Sequence, residues 1–219
     1  MNVLTHAEWD ELSQAIAFVA NSLLRPVTQM PAHGLVPGFW DRFPVFGNAK
    51  AEQGVAALKA YAESLSDASD EEAERRCAVE ITGLFLNGGS SSFVPPWETM
   101  HRNGKTRFGY GEATVDMRNR LAALGLKVSA DNNQYADHIA IELLLLAELC
   151  RRRAMAGDEG AGDEAIGEFV QARVGSWIGE FHEKVGKAWP DGYADGLLTI
   201  AEGLVETARD SADIRGLAD

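Results

Sequence analysis

Three side chains near the middle of the chain have types and spacing that could do chemistry: Asp137, His138 and Glu142, in the run D-H-I-A-I-E. On a helix, His138 and Glu142 would share one face, four residues apart, as two ligands of one metal ion would. The run has no second histidine to complete H-E-x-x-H, and His6, His33, His101 and His182 are scattered singly. A histidine satisfied at a helix terminus is the better reading. Asn103, Gly104, Lys105 and Thr106 spell the end of a nucleotide-binding P-loop, but Thr99 stands where its first glycine belongs and no buried strand precedes it. The serines that follow Gly88 and Gly89 lack a G-x-S-x-G elbow, and a His-Asp pair without a nucleophile is not a triad. These patterns support no catalytic residue, no metal and no cofactor. A nucleotide- or metal-dependent hydrolase built on Asn103 to Thr106 or on His138 stands as the alternative of a different class.

The element that must position Asp137, His138 and Glu142 is the stretch from Asp131 to Cys150. From Ile139 onward every residue except Glu142 and Glu148 is apolar. That run is too long for an ordinary strand and too short to span a bilayer, so it reads as a helix buried nearly all round. Asp131, Asn132 and Asn133 precede it as polar caps, and Asp137, His138 and Glu142 fall within its first two turns, at the mouth of the core.

The other elements surround this helix. Thr5 and Glu8 form a capping box ahead of Trp9, Leu12, Ile16, Val19 and Leu23, which are spaced as one helical stripe. Pro26, Pro31, Pro37 and Pro44 break residues 26–47 into short pieces, with Phe39, Trp40, Phe43 and Phe46 as an aromatic lid on the core. A second helix covers Ala49 to Leu65. A second box, Ser69 to Glu72, opens a third, whose stripe Cys77, Ile81, Leu84 and Phe85 stops at Asn87, Gly88 and Gly89. Residues 88–111 read as one long loop bearing the apolar island F-V-P-P-W, and loops of this length in compact domains usually carry function. Met117, Leu121 and Leu124 mark a fourth helix. After the core helix, residues 156–162 form a glycine-rich hinge, followed by stripes from Phe169 to Trp189 and from Tyr193 to Leu204, separated near Pro190. No segment alternates with period two, so the expected class is all-α, a helical bundle folded as one domain over residues 1–219.

A net charge of -13 argues against a nucleic-acid partner, whose phosphates call for clustered Lys and Arg. Cys77 and Cys150 sit in apolar helical patterns without a C-x-x-C, as buried free thiols of a reducing compartment do. No segment offers a signal peptide or about 18 consecutive apolar residues, so a soluble cytoplasmic protein without a membrane span is expected.

Four motifs then occur in one order: L-F-x-x-G at 84–88, P-P-W-E-T-M at 95–100, R-F-G-Y-G at 107–111 and D-H-I-x-x-E-L from Asp137. Together with W-I-x-x-F-x-x-x-V-x-x-A at 177–188, this chain resembles the TorD/DmsD family of redox-enzyme maturation chaperones over roughly residues 75 to 210. The family commonly has Glu-Pro where this chain has Gln134 and Tyr135, and an aromatic where it has Ile81. The resemblance implies an all-helical chaperone, not an enzyme. It would bind the twin-arginine leader of the apo-form of a molybdenum-cofactor oxidoreductase subunit and delay export until the cofactor is loaded. It maps the leader-binding surface onto Leu84, Phe85, Pro96, Trp97, Gly109, Asp137 and His138. A chaperone of the nitrate-reductase type, serving a subunit without a cleaved leader, is the related alternative.

Magnitudes decide which contacts must dominate such a complex. An exposed ion pair contributes about 0.2 to 1 kcal/mol, whereas micromolar affinity needs about 8 kcal/mol. An Asp137 carboxylate meeting the arginines, with a neutral His138 beside it, would therefore supply selectivity. Most of the affinity would come from apolar burial, where roughly 300 Å² at about 25 cal/mol/Å² gives on the order of 7 kcal/mol before association costs. The hinge also makes either a monomer or a dimer with exchanged C-terminal helices an expected state.

Overall fold

The computed structural model describes residues 4–25, 27–29, 31–102, 109–129, 133–156 and 162–216, with side chains to Asp213 in the last segment. The expected caps Asp131 and Asn132, the segment Asn103 to Thr106 and the interior of the hinge lie outside the described residues. Among the described residues the chain is all-α, and the one extended pairing is an isolated bridge between Trp97 and His138.

The helix α1 (His6–Leu24) begins with the full capping box: the Thr5 hydroxyl accepts from the Glu8 amide, and the Glu8 carboxylate accepts from the Thr5 amide at 2.7 Å. Its stripe Trp9, Leu12, Ile16, Val19 and Leu23 is buried. That face lies along α7 (Ile139–Met155), the most extensive helix pairing in the molecule. Each such large apolar side chain contributes roughly 1.5–3 kcal/mol relative to exposure.

After α1, the proline-broken segment contains two 3₁₀ turns and the short α2 (Pro37–Trp40), whose Trp40 is fully buried. The next helices are α3 (Ala49–Ser64) and α4 (Asp70–Ile81). Ser69 caps α4 by accepting from the Glu72 amide, but the Glu72 side chain is turned away to Arg75 and Arg76. The helix does not run on unchanged to Asn87. Beyond Ile81 it widens into a π turn, Thr82–Leu86, closed by the Asn87 amide on the Thr82 carbonyl. Inside the expected long loop the chain forms one more turn, α5 (Thr99–Arg102), ahead of α6 (Glu112–Ala123).

The C-terminal third holds α8 (Asp163–Ala172), α9 (Ile178–Ala188) and α10 (Tyr193–Gly216). A 3₁₀ turn at Val174–Ser176 separates α8 from α9, a break that the apolar stripe through Phe169 and Trp177 did not announce. The helix α10 crosses α3 at close range because glycines face the contact: a Cβ on Gly203 would meet the Ala51 backbone nitrogen at 2.5 Å, and one on Gly54 the Ile200 nitrogen at 2.6 Å. Lys50 adds ion pairs to Glu202 and Glu206 across the same crossing. The start of α10 is capped from a distance, since the buried Glu80 of α4 accepts from the amides of Tyr193 and Ala194. Cys77 and Cys150 are free and buried, with both thiols pushed up in pKa by burial. No described helix is long and apolar enough to cross a membrane.

Across the ends of the hinge, Arg153 of α7 pairs with Asp163 of α8 at 2.5 Å, and its guanidinium lies over the Trp9 ring. Both partners are buried. Removing one carboxylate from such a pair strands the other charge, so Asp163→Ala should lower the unfolding free energy by about 3–5 kcal/mol. Urea denaturation of the two proteins checks this, and a loss below about 1 kcal/mol would show that the pair is solvated.

Candidate functional site

The site is built where the F-V-P-P-W segment meets the start of α7. The Ile139 amide donates to the Pro96 carbonyl at 2.8 Å, and the Glu98 amide donates to the Asp137 carbonyl at 2.9 Å. These bonds hold His138 extended after a turn at Ala136 and Asp137, so the core helix starts at Ile139 and not within the polar run before it. Asp137 therefore precedes the helix, and His138 is its N-cap, its Nδ1 accepting from the Ala140 amide at 3.1 Å. Glu142 follows one turn later, its amide donating to the His138 carbonyl at 3.1 Å.

Asp137 is fully buried, and its carboxyl organises three segments at once. Oδ2 accepts from the Thr99 amide at 3.0 Å and from the Thr99 hydroxyl at 2.6 Å, which caps α5. Oδ1 accepts from the Thr114 hydroxyl of α6 at 2.8 Å. The same hydroxyl accepts from the Gly111 amide. The direct arginine contact expected of Asp137 is thus replaced by internal donors in this conformation. His138 is buried too, and burial pushes its pKa down to about 3, so the ring is neutral, as a neighbour of arginine would need to be.

The outer layer is aromatic. Trp97 is half-buried, stands edge-on to Tyr135 at 6.0 Å and to His138 at 6.4 Å, and its Nε1 has no hydrogen-bond partner among the described residues. Tyr135 in turn meets Tyr110 at 5.8 Å, and both tyrosines are exposed. Gly109 is what lets these rings close up: a Cβ there would lie 2.9 Å from the Tyr135 ring and 3.2 Å from Trp97. Pro96 is buried against the bridge. Leu84 and Phe85 are core, at 0% and 3% exposure, and Phe85 packs on Phe181 of α9. They support the segment from behind, with the Leu84 carbonyl accepting from the Val94 amide.

Beneath the platform lies a carboxyl pair whose two members the sequence did not bring together. Glu98 is fully buried and receives Arg102 at 2.8 Å and Arg173 at 3.0 Å, and Arg173 also reaches Asp116. Glu142 is fully buried beside Glu98, takes the Trp177 indole N–H at 2.9 Å, and has its second oxygen unpartnered among the described residues. Burial first, and Glu98 next, hold the Glu142 carboxyl well above the usual range. No group of three or more His, Cys, Asp or Glu side chains among the described residues is arranged to hold a metal ion.

Comparison with known proteins bears directly on this arrangement. A family model described as nitrate reductase delta subunit matches residues 48–183, more than half of the chain, including every site residue named above. The chain belongs to this family, that of the TorD-like chaperones. Among similar proteins, the chaperone protein TorD of Shewanella amazonensis is 28% identical over 114 residues, 51% of this chain and 45% of that protein. The chlorate reductase assembly chaperone protein of Ideonella dechloratans is 28% identical over 135 residues, 60% of this chain and 67% of its own length. The selenate reductase assembly chaperone protein of Thauera selenatis is 27% identical over the same share of each chain. The match to the first of these spans less than half of its length. These relatives are thus named as chaperones, two of them of reductase assembly. Sequence motifs had marked Trp97, Gly109, Asp137 and His138. The roles of Thr99, Thr114, Glu98, Arg173 and Tyr135 depend on distant partners that no local spacing announces.

Because burial raises the pKa of Glu142 in the folded protein above its unfolded value, the group contributes stability that is intact below the unfolded carboxyl pKa of about 4.3 and is lost as pH rises above it. Glu142→Gln keeps an acceptor for Trp177 and removes the titration. The stability of the variant relative to the wild type should therefore grow from about pH 4.3 upward, by as much as about 1.4 kcal/mol per pH unit. Denaturation midpoints measured from pH 4 to 8 test this, and a pH-independent difference would mean that Glu142 is ionised in the fold.

Proposed function

We propose that this protein is a cytoplasmic assembly chaperone that binds the N-terminal twin-arginine leader of a molybdenum-cofactor oxidoreductase subunit and delays its export until cofactor insertion and folding are complete. The observation that carries the reading is the family match over residues 48–183, together with relatives named as chaperones, two of them of reductase assembly. The geometry supports a binding role. A half-buried indole against the exposed Tyr135, which in turn meets the exposed Tyr110, offers an apolar platform with polar handles, the composition that carries energy at interfaces.

In this reading the predicted residues divide by layer. Trp97 and Gly109 form the contact surface, Gly109 by admitting Tyr135 against the indole. Asp137 and His138 hold the contact surface in place, and Leu84, Phe85 and Pro96 form its support. A variant of the reading, in which the client is a nitrate-reductase-type subunit without a cleaved leader, draws on the description of the matching family model. It differs in one measurable respect: the client subunit would bind with its leader deleted.

Trp97→Ala should weaken the binding of a leader peptide by at least about 2 kcal/mol, roughly 30-fold in Kd, with the helical circular dichroism unchanged. Calorimetric titration of the purified protein measures it. Wild-type affinity in the variant would remove Trp97 from the contact surface.

A further inference from the structure

A second surface lies on the far side of the L-F-x-x-G segment, where α4 passes into the π turn. The helix α4 is strongly polar, yet its C-terminal end and the π turn place Val79 and Leu86 outward, each 53% exposed, with Thr82 and Gly83 between them. The wider turn has a structural consequence here. It sends Leu84 and Phe85 inward to the core while leaving Leu86 outside, so the same five residues line the core on one side and the surface on the other.

The outer side is concave. Ala78, Val79, Thr82, Gly83 and the half-buried Trp189 line a groove of about 680 Å³ that ends at Ser92. A neighbouring hollow of about 370 Å³ shares Ser92 and continues over Phe93, Pro95, Met100 and Ala188. The two give one shallow, mainly apolar track.

The charge at one end of the track is unbalanced. Arg75 and Arg76 are both committed to Glu72, the former through two hydrogen bonds of 2.8 Å. Glu71 and Glu74, which line the groove, have no ion pair among the described residues. A segment that lies here with apolar residues along Val79 and Trp189, and reaching Leu86 next to the lining residue Asn87, therefore meets two carboxylates without ion pairs at the α4 end. The matching chemistry is a chain with adjacent guanidinium groups ahead of an apolar stretch, because a carboxylate binds a guanidinium through a planar pair of hydrogen bonds that an ammonium cannot form.

We propose that this track takes the apolar stretch of the client leader, with its arginines at Glu71 and Glu74. The inference rests on the leader-binding reading above and assigns the arginine contact to exposed groups of α4, since the Asp137 oxygens are already filled from within.

The probe is a synthetic peptide with an arginine pair followed by about 12 apolar residues, the length of an ordinary leader's apolar region. Calorimetric titration of the wild type comes first, and absence of binding overturns the leader-binding reading and the track with it. Given wild-type binding, Val79→Glu combined with Leu86→Glu should weaken affinity at least tenfold. Glu71→Lys combined with Glu74→Lys should weaken the arginine peptide to a similar degree and leave a version with glutamines in place of the arginines unchanged. All four positions are at the surface, so unaltered thermal unfolding is expected of both variants. Wild-type affinity in both double variants overturns the track while leaving the leader-binding reading standing. A concentration-dependent dimer that Val79→Glu with Leu86→Glu dissolves, seen by light scattering, would assign the surface to a second copy of the chain and also overturn the proposal.

Discussion

The pairing of residues 96–98 with 137–139 is the interaction on which the site depends. Two backbone hydrogen bonds stitch a loop to the start of the central helix, and each is worth only about 0.5–1.5 kcal/mol net. Their effect is larger than their energy because they bring the Asp137 carboxyl to Thr99 and Thr114. With three donors on its two oxygens, that buried group ties α5 and α6 to the central helix. An unmade bond there would leave a buried polar group without a partner, at a cost of about 1–3 kcal/mol, so the network forms together or not at all.

A second, ionic layer secures the same region to the C-terminal helices. Glu98 joins Arg102 to Arg173, Arg173 joins Asp116, and Asp116 joins Arg120, which continues to Glu168. The chain of contacts spans α5, α6, α8 and the turn after α8. Such a network does little to hold apolar elements together that burial already holds. Its consequence is positional: the segment that carries Trp97 is fixed relative to α6 and α8. A docking surface with its supports already ordered loses less entropy on binding than one that must assemble around its partner.

The acidic character of the protein fits a partner that arrives with positive charge. Some surface acids are balanced locally, as Glu148 is by Arg151 and Arg152, while others, Glu71 and Glu74 among them, have no ion pair among the described residues. Glu71 and Glu74 share a groove with the exposed Val79, which puts the complement of a basic and apolar peptide along α4.

The helices themselves were legible because each is decided by contacts three or four residues apart. The stripe Trp9, Leu12, Ile16, Val19 and Leu23, the capping box at Thr5 and the apolar run from Ile139 are local patterns, and local energetics decide them. Motif order likewise marked Trp97, Gly109, Asp137 and His138 as belonging together. Where the central helix begins was not legible, since the polar run before Ile139 suits a helix start as well as an extended pair. The Pro96 and Glu98 backbone groups, some 40 residues away, settle the choice. The same holds for what Asp137 does, because a carboxylate beside a histidine reads alike whether it faces a ligand or a threonine. Only the folded chain determines which donors reach its oxygens first, and here Thr99 and Thr114 do.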